Sequence, residues 1–117
     1  MFERVWRWML VGGAALLLLS SGCSEDVGED SRTVGGMCTS NSDCRDRCLT
    51  GSDWPGGMCT VSCRDDYDCP SGSACIDKER GVCLMECRGD DECPGGYECD
   101  DEDRLGHSGK RYVCVED

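Results

Sequence analysis

The chain has 117 residues, a formal net charge of −12 and 13 cysteines, with only 6% aromatic residues. That length holds one small domain or a few very small ones. The acidic balance excludes a nucleic-acid partner, which demands basic groups against phosphate, and it opposes charge-driven attachment to anionic lipid.

The N-terminal stretch MFERVWRWMLVGGAALLLLSSG opens with Arg4 and Arg7 against Glu3. It then runs uncharged from Met9 to Leu19 and ends on the small residues Ser20, Ser21 and Gly22. This is the order of a secretory signal peptide, assigned here to residues 1–22. Its uncharged run of 11 residues is too short for a permanent span, which takes about 20. Removing it takes away two arginines and one glutamate, so the net charge moves from −12 to −13. An odd number of cysteines also leaves one thiol without an intrachain partner, and Cys23 stands apart from the rest.

The stretch LLSSGC (residues 18–23) resembles the lipobox of bacterial lipoproteins, with Ser21, Gly22 and Cys23 fitting its last three positions. Ser20 departs from the Leu usual in that family, and Leu19 sits one place early. The resemblance implies a diacylglyceryl thioether on Cys23 and cleavage just before it. A thiolate is the natural nucleophile for that bond. One acyl chain holds a protein only marginally, whereas two or three anchor it stably. Ser24, being other than Asp, implies the outer membrane by the sorting pattern such lipoproteins resemble. Residues 24–36 (SEDVGEDSRTVGG) are acidic and almost without large apolar groups, which predicts a flexible tether extended by repulsion among Glu25, Asp26, Glu29 and Asp30.

The other twelve cysteines repeat. Unit one runs from Cys38 through Cys44 and Cys48 to Cys59, unit two from Cys63 through Cys69 and Cys75 to Cys83, and unit three from Cys87 through Cys93 and Cys99 to Cys114. Three-residue joints separate the units, whose starts lie 25 and 24 residues apart, a period in the range of repeat arrays. The heads CRDDYDCPSGSAC and CRGDDECPGGYEC align closely. Unit one keeps Asp43-Cys44 but shortens the second gap, as an end unit often departs from its neighbours. Spacing alone leaves the pairing of twelve cysteines open.

This spacing, with an acid before the second cysteine, resembles the N-terminal cysteine-rich domain of the Dickkopf proteins, and similar arrays occur in exported proteins of myxobacteria. The resemblance covers roughly residues 37–115. It implies pairing of first with third and second with fourth cysteines: Cys38–Cys48, Cys44–Cys59, Cys63–Cys75, Cys69–Cys83, Cys87–Cys99 and Cys93–Cys114. A zinc–thiolate reading is disfavoured, because there is no Cys-x2-Cys and His107 is the sole histidine. Export also places the chain in an oxidising compartment.

The short apolar pieces GMCTV, SACI, GVCLM, YEC and RYVCV read as strands between Gly- and Asp-rich turns. A hairpin is predicted around Lys78-Glu79-Arg80, and a long loop, Asp101–Lys110, between the strands of unit three. The fold class expected is small and disulfide-rich, with three tandem four-cysteine repeats, short β-hairpins, and little or no helix outside the signal segment. A core this thin needs its bridges, each worth about 2–4 kcal/mol.

No catalytic constellation is legible. His107 and Ser108 lie in an acidic run, without the framed pocket a catalytic triad requires. Asp100, Asp101, Glu102 and Asp103 are weak calcium candidates at the head of the long loop, although their spacing fits no EF-hand. Trp54, in the turn Asp53–Gly57, is a candidate recognition anchor if exposed, and a cover for a disulfide if not. The expected role is that of an exported, lipid-anchored surface module of the cell envelope. It would be non-catalytic and without a cofactor, held to the membrane through its lipid, with a protein or carbohydrate ligand and no nucleic acid. The alternatives are a protease inhibitor using residues 49–58 or 100–111, and a calcium-dependent adhesin.

Overall fold

The computed structural model describes residues 26–117. The signal segment and Cys23 therefore lie outside the described residues. Three antiparallel hairpins follow one another: β1 (Arg47–Leu49) with β2 (Met58–Thr60), β3 (Ser73–Ile76) with β4 (Val82–Met85), and β5 (Tyr97–Asp103) with β6 (Lys110–Glu116). One 3-10 turn precedes each hairpin, at Asn41–Asp43, Asp66–Asp68 and Asp90–Glu92. There is no α-helix among the described residues, in keeping with a sequence that sustains no helical period.

Six disulfides knit the units internally: Cys38–Cys48, Cys44–Cys59, Cys63–Cys75, Cys69–Cys83, Cys87–Cys99 and Cys93–Cys114. These are the pairs that the Dickkopf resemblance implies. In every hairpin the third and fourth cysteines face each other across the strands: Cys48↔Cys59, Cys75↔Cys83 and Cys99↔Cys114. They are not bonded to each other, because each reaches back to a cysteine of the preceding loop. The bridges thus pin that loop to the hairpin from both strands.

Each hairpin would present an open edge along its second strand, and the segment entering the unit covers it. Cys59 exchanges two backbone hydrogen bonds with Gly35 and Gly36, at 2.9 and 2.8 Å. Cys83 donates to Val61 (3.0 Å), and Cys87 donates to Tyr112 (3.1 Å). Covering an edge removes a template for unwanted pairing. The incoming chain passes so close to unit one that a Cβ on Gly57 would sit 1.9 Å from the Cys38 carbonyl oxygen. The equivalent Gly81 has φ +104° and would place a Cβ 2.2 Å from the Cys63 oxygen. Only glycine fits either place.

The tether expected from composition is corrected by this packing. Residues 26–36 fold onto unit one instead of extending from it. Val34 is fully buried in the main core, and Val27 packs against that core. The Ser31 hydroxyl accepts the amides of Thr33 and Val34. Arg32 donates to the carbonyls of Ser42 and Asp43. Residues 35–37 hold the place before unit one that the three-residue joints hold before the other two. Two valines, a hydroxyl, Arg32 and the pairing with Cys59 together order a segment that its charges alone would extend.

The middle unit holds the centre. Every residue of β3 and β4 is buried, because β4 lies against both β2 and β6. In the five-residue loop joining them, Glu79 (50°) and Arg80 (71°) take positive φ, and the Gly81 amide donates to the Lys78 carbonyl at 2.7 Å, closing a turn of the primed type. Ile76, Val82, Leu84 and Val113 reach no solvent, and Met58, Trp54 and Tyr97 close the core at its sides. Unit three differs from the sequence reading. Its strands run longer than YEC and RYVCV, so that Asp100, Asp101, Glu102 and Asp103 pair with Val113, Tyr112, Arg111 and Lys110. The loop shrinks to residues 104–109.

Candidate functional site

Most of the acidic side chains in the repeat heads act on the backbone. The acid before each second cysteine accepts the amide of the residue after the first: Thr39 to Asp43 at 2.9 Å, Arg64 to Asp68 at 2.8 Å, Arg88 to Glu92 at 2.8 Å. The residue three places after each first cysteine accepts the amide of the third: Cys48 to Asn41 at 2.9 Å, Cys75 to Asp66 at 2.9 Å, Cys99 to Asp90 at 2.8 Å. The second bond satisfies the outward-facing amide of the first strand in each hairpin. Two hydrogen bonds per unit thus explain a repeat pattern of Cys-x2-(Asn/Asp)-x-(Asp/Glu)-Cys. The amides and hydroxyl of Thr39, with the Ser40 amide, hold the Asp43 carboxyl below its ordinary pKa.

Asp66 does more. Burial pushes its pKa up, but the Cys75 amide and the Arg104 guanidinium outweigh that and bring it below the ordinary value. Arg104 pairs with Asp66, Arg111 Nη2 lies 3.9 Å from the same carboxylate, and Arg111 Nη1 reaches Glu86 at 2.6 Å. This network locks unit three to unit two, beside the backbone bonds Asp77 to Asp103 (2.9 Å) and Leu105 to Cys75 (3.0 Å). Arg104 Nε is buried without a partner.

The candidate site residues of the sequence fall out differently. Trp54 is only 4% exposed, which rules out the exposed recognition anchor and leaves the buried alternative. Its ring fills the core, and its Nε1–H points to Glu79 Oε2 at 3.4 Å. The acidic run cannot gather round an ion, because strand alternation sends Asp100 and Glu102 to one face and Asp101 and Asp103 to the other. Glu102 lies 3.5 Å from Lys78 and Asp103 lies 3.1 Å from Lys110. Among the described residues, the only groups of three potential ligand atoms within 4.8 Å are cystine sulfurs, which have no thiolate to give. His107 and Ser108 are exposed, and the charge of His107 is the least of the causes that lower the Asp66 pKa. Of the two segments weighed as inhibitory loops, the first is anchored by buried Trp54 and the second begins as strand.

Two grooves remain. One, of 310 Å³, is lined by Asp53, Trp54, Lys78, Glu79, Val115 and Glu116. Burial, and a hydrogen bond shared with Asp53, raise the Glu116 carboxyl above its ordinary pKa. The other, of 420 Å³, brings together three stretches distant in sequence. Residues 29–37 supply Glu29, Asp30 and Met37, the turn of unit one supplies Pro55–Met58, and unit three supplies Pro94, Gly95 and Tyr97. Tyr97 is 6% exposed and donates its hydroxyl to the Pro55 carbonyl at 2.9 Å, fixing the floor. Burial, and then the charge of Glu116, push that phenol up to about 12. Met37 is 74% exposed on the wall. No reading of the sequence found this second groove, since no local motif links its three parts. No protein-family model, curated protein or solved structure matches the chain.

Proposed function

We propose that this chain is an exported, lipid-anchored binding module of a bacterial envelope, held to the outer membrane through Cys23, and that it is not an enzyme. One observation carries the reading. Twelve of the 13 cysteines are taken by the six intraunit bridges, which leaves Cys23 as the one sulfur without a place in the scaffold. It follows a signal-like segment and a small-residue pair. Acylation gives that thiol a chemical purpose, and the bridges give the exported part stability outside the cell.

The non-catalytic role is supported by where the reactive side chains go. The repeat acids bind amides, Arg104 and Arg111 join unit three to unit two, and the lone histidine is exposed. The ligand expected is a protein. Fractionation tests the anchoring: the chain should sediment with the outer membrane, and Cys23→Ser should shift it to the soluble periplasmic fraction. A Cys23→Ser chain that still sediments, and resists salt extraction, would refute the anchor.

A further inference from the structure

We propose that the 420 Å³ groove docks an extended segment of a partner protein that carries an apolar side chain beside a lysine or arginine. The proposal rests on the binding-module reading above and gives it a place and a partner chemistry.

The apolar half of the specificity comes from the walls. Pro55, Met58, Pro94 and Tyr97 surround the groove, and Met37 stands 74% exposed beside it. A thioether is polarisable and adapts to differently shaped apolar partners. The volume falls within the range of small binding clefts. Gly35, Gly56, Gly57 and Gly95 bring bare backbone to its surface, so that an extended segment can approach closely. The cleft is also preorganised. The Tyr97–Pro55 hydrogen bond joins unit three to unit one, and the Gly35–Cys59 pairing joins the incoming strap to unit one.

The cationic half comes from the rim. Glu29 and Asp30 are exposed at one edge, and neither has an ion-pair partner among the described residues. Most repeat acids hold amides or pair with basic groups, but these two hold nothing. Behind them stands a net charge of −13 once the signal is removed, from −12 less two arginines and one glutamate. Such a field speeds encounter with a basic partner and repels an acidic one. A neutral glycan would make no use of the rim.

The test maps binding by amide chemical shifts on the full chain, exported, oxidised and extracted in mild detergent with 15N label. The probes are an N-acetylated Gly-Ser-Leu-Lys-Leu-Lys-Gly-Ser peptide and its counterpart with glutamate for lysine. The lysine peptide should shift Met37, Gly56, Gly57, Gly95 and Tyr97 together, and the glutamate peptide should shift none of them. Met37→Ser, and separately Glu29→Gln with Asp30→Asn, should each weaken the affinity about threefold or more, the rim pair losing its effect at high salt. Both changes are on exposed side chains, so folding is retained. Shifts spread over all acidic faces and unchanged by Met37→Ser would overturn the proposal, as would no shift at all. Shifts focused on another surface would overturn the groove but leave the binding-module reading standing. Loss of that reading would instead show in the fractionation of Cys23→Ser.

Discussion

Replacing Asp66 by alanine removes one carboxylate that serves two structural levels at once. Its Oδ1 satisfies the amide of Cys75, a residue with no solvent exposure, and an orphaned buried amide costs about 1–3 kcal/mol. Its Oδ2 faces Arg104, whose side chain is only 17% exposed, and Arg111. Removing it takes the carboxylate from the Arg104 guanidinium, while Arg111 keeps Glu86. Together these effects should destabilise the oxidised protein by about 2–4 kcal/mol. Asn41→Ala and Asp90→Ala break the corresponding amide bond in the outer units, at half-buried Cys48 and Cys99, and should cost only about 0.5–1.5 kcal/mol. Asp91→Ala, on the exposed side of the same turn, should stay within about 0.5 kcal/mol. The assay is guanidinium unfolding followed by circular dichroism with all bridges intact. It is paired with hydrogen exchange at the Cys75 amide, which should lose protection in Asp66→Ala and keep most of it in Asp66→Asn. Equal losses for Asp66→Ala and Asp91→Ala, with Cys75 still protected, would refute the bracket.

Acid should weaken the fold through Asp66 and Asp43. Their folded pKa values lie below the ordinary 3.8, so the stability they lend is present above that value and lost as pH falls through the folded one; Asp66→Asn should flatten the acid limb of a stability–pH curve. Glu116 has the opposite sign. Its pKa is raised, so protonation favours the folded state, and Glu116→Gln should gain stability at neutral pH relative to the parent and none well below pH 4. Gly57→Ala and Gly81→Ala should each cost about 1–3 kcal/mol from positive φ alone, with the collision against Cys38 or Cys63 oxygen adding to it, seen as a collapse in the yield of fully bridged protein. Val34→Ala removes two methyl groups from a site with no exposure and should cost about 1–3 kcal/mol in the same unfolding assay.

Much of the fold was written in the cysteine spacing. It gave three units and joints of three residues, and the apolar pieces beside the cysteines gave five of the six strands. What it could not show were interactions between parts far apart in the chain. The strand Arg47–Leu49 escaped notice, because three residues between a cysteine-rich loop and a glycine turn hold no alternation to read. The paired run Asp100–Asp103 looked like a loop, since its acids are poor strand formers; the facing Lys110–Val113 strand, with Lys110 against Asp103, overrides that preference. The strap at residues 26–36 looked extended because charge hid Val34, whose burial depends on the edge of β2. Asn41, Asp66 and Asp90 were legible in principle: they align at one position of the repeat, and only the acid before the second cysteine drew attention. The 420 Å³ groove could not be read at all, for its walls come from three separate segments.

Covalent sulfur chemistry is the common ground of the fold and of the proposed anchoring. It is tested most directly by the intact mass of the protein extracted from membranes, alkylated once without reduction and once after full reduction. Without reduction no alkyl group should add, and the mass should equal residues 23–117 plus a diacylglyceryl group and any further acyl chain, less twelve hydrogens for six bridges. After reduction twelve alkyl groups should add and not thirteen, because Cys23 is blocked. A native protein that takes up alkyl groups before reduction, or thirteen after it, would contradict the six bridges or the proposed acylation.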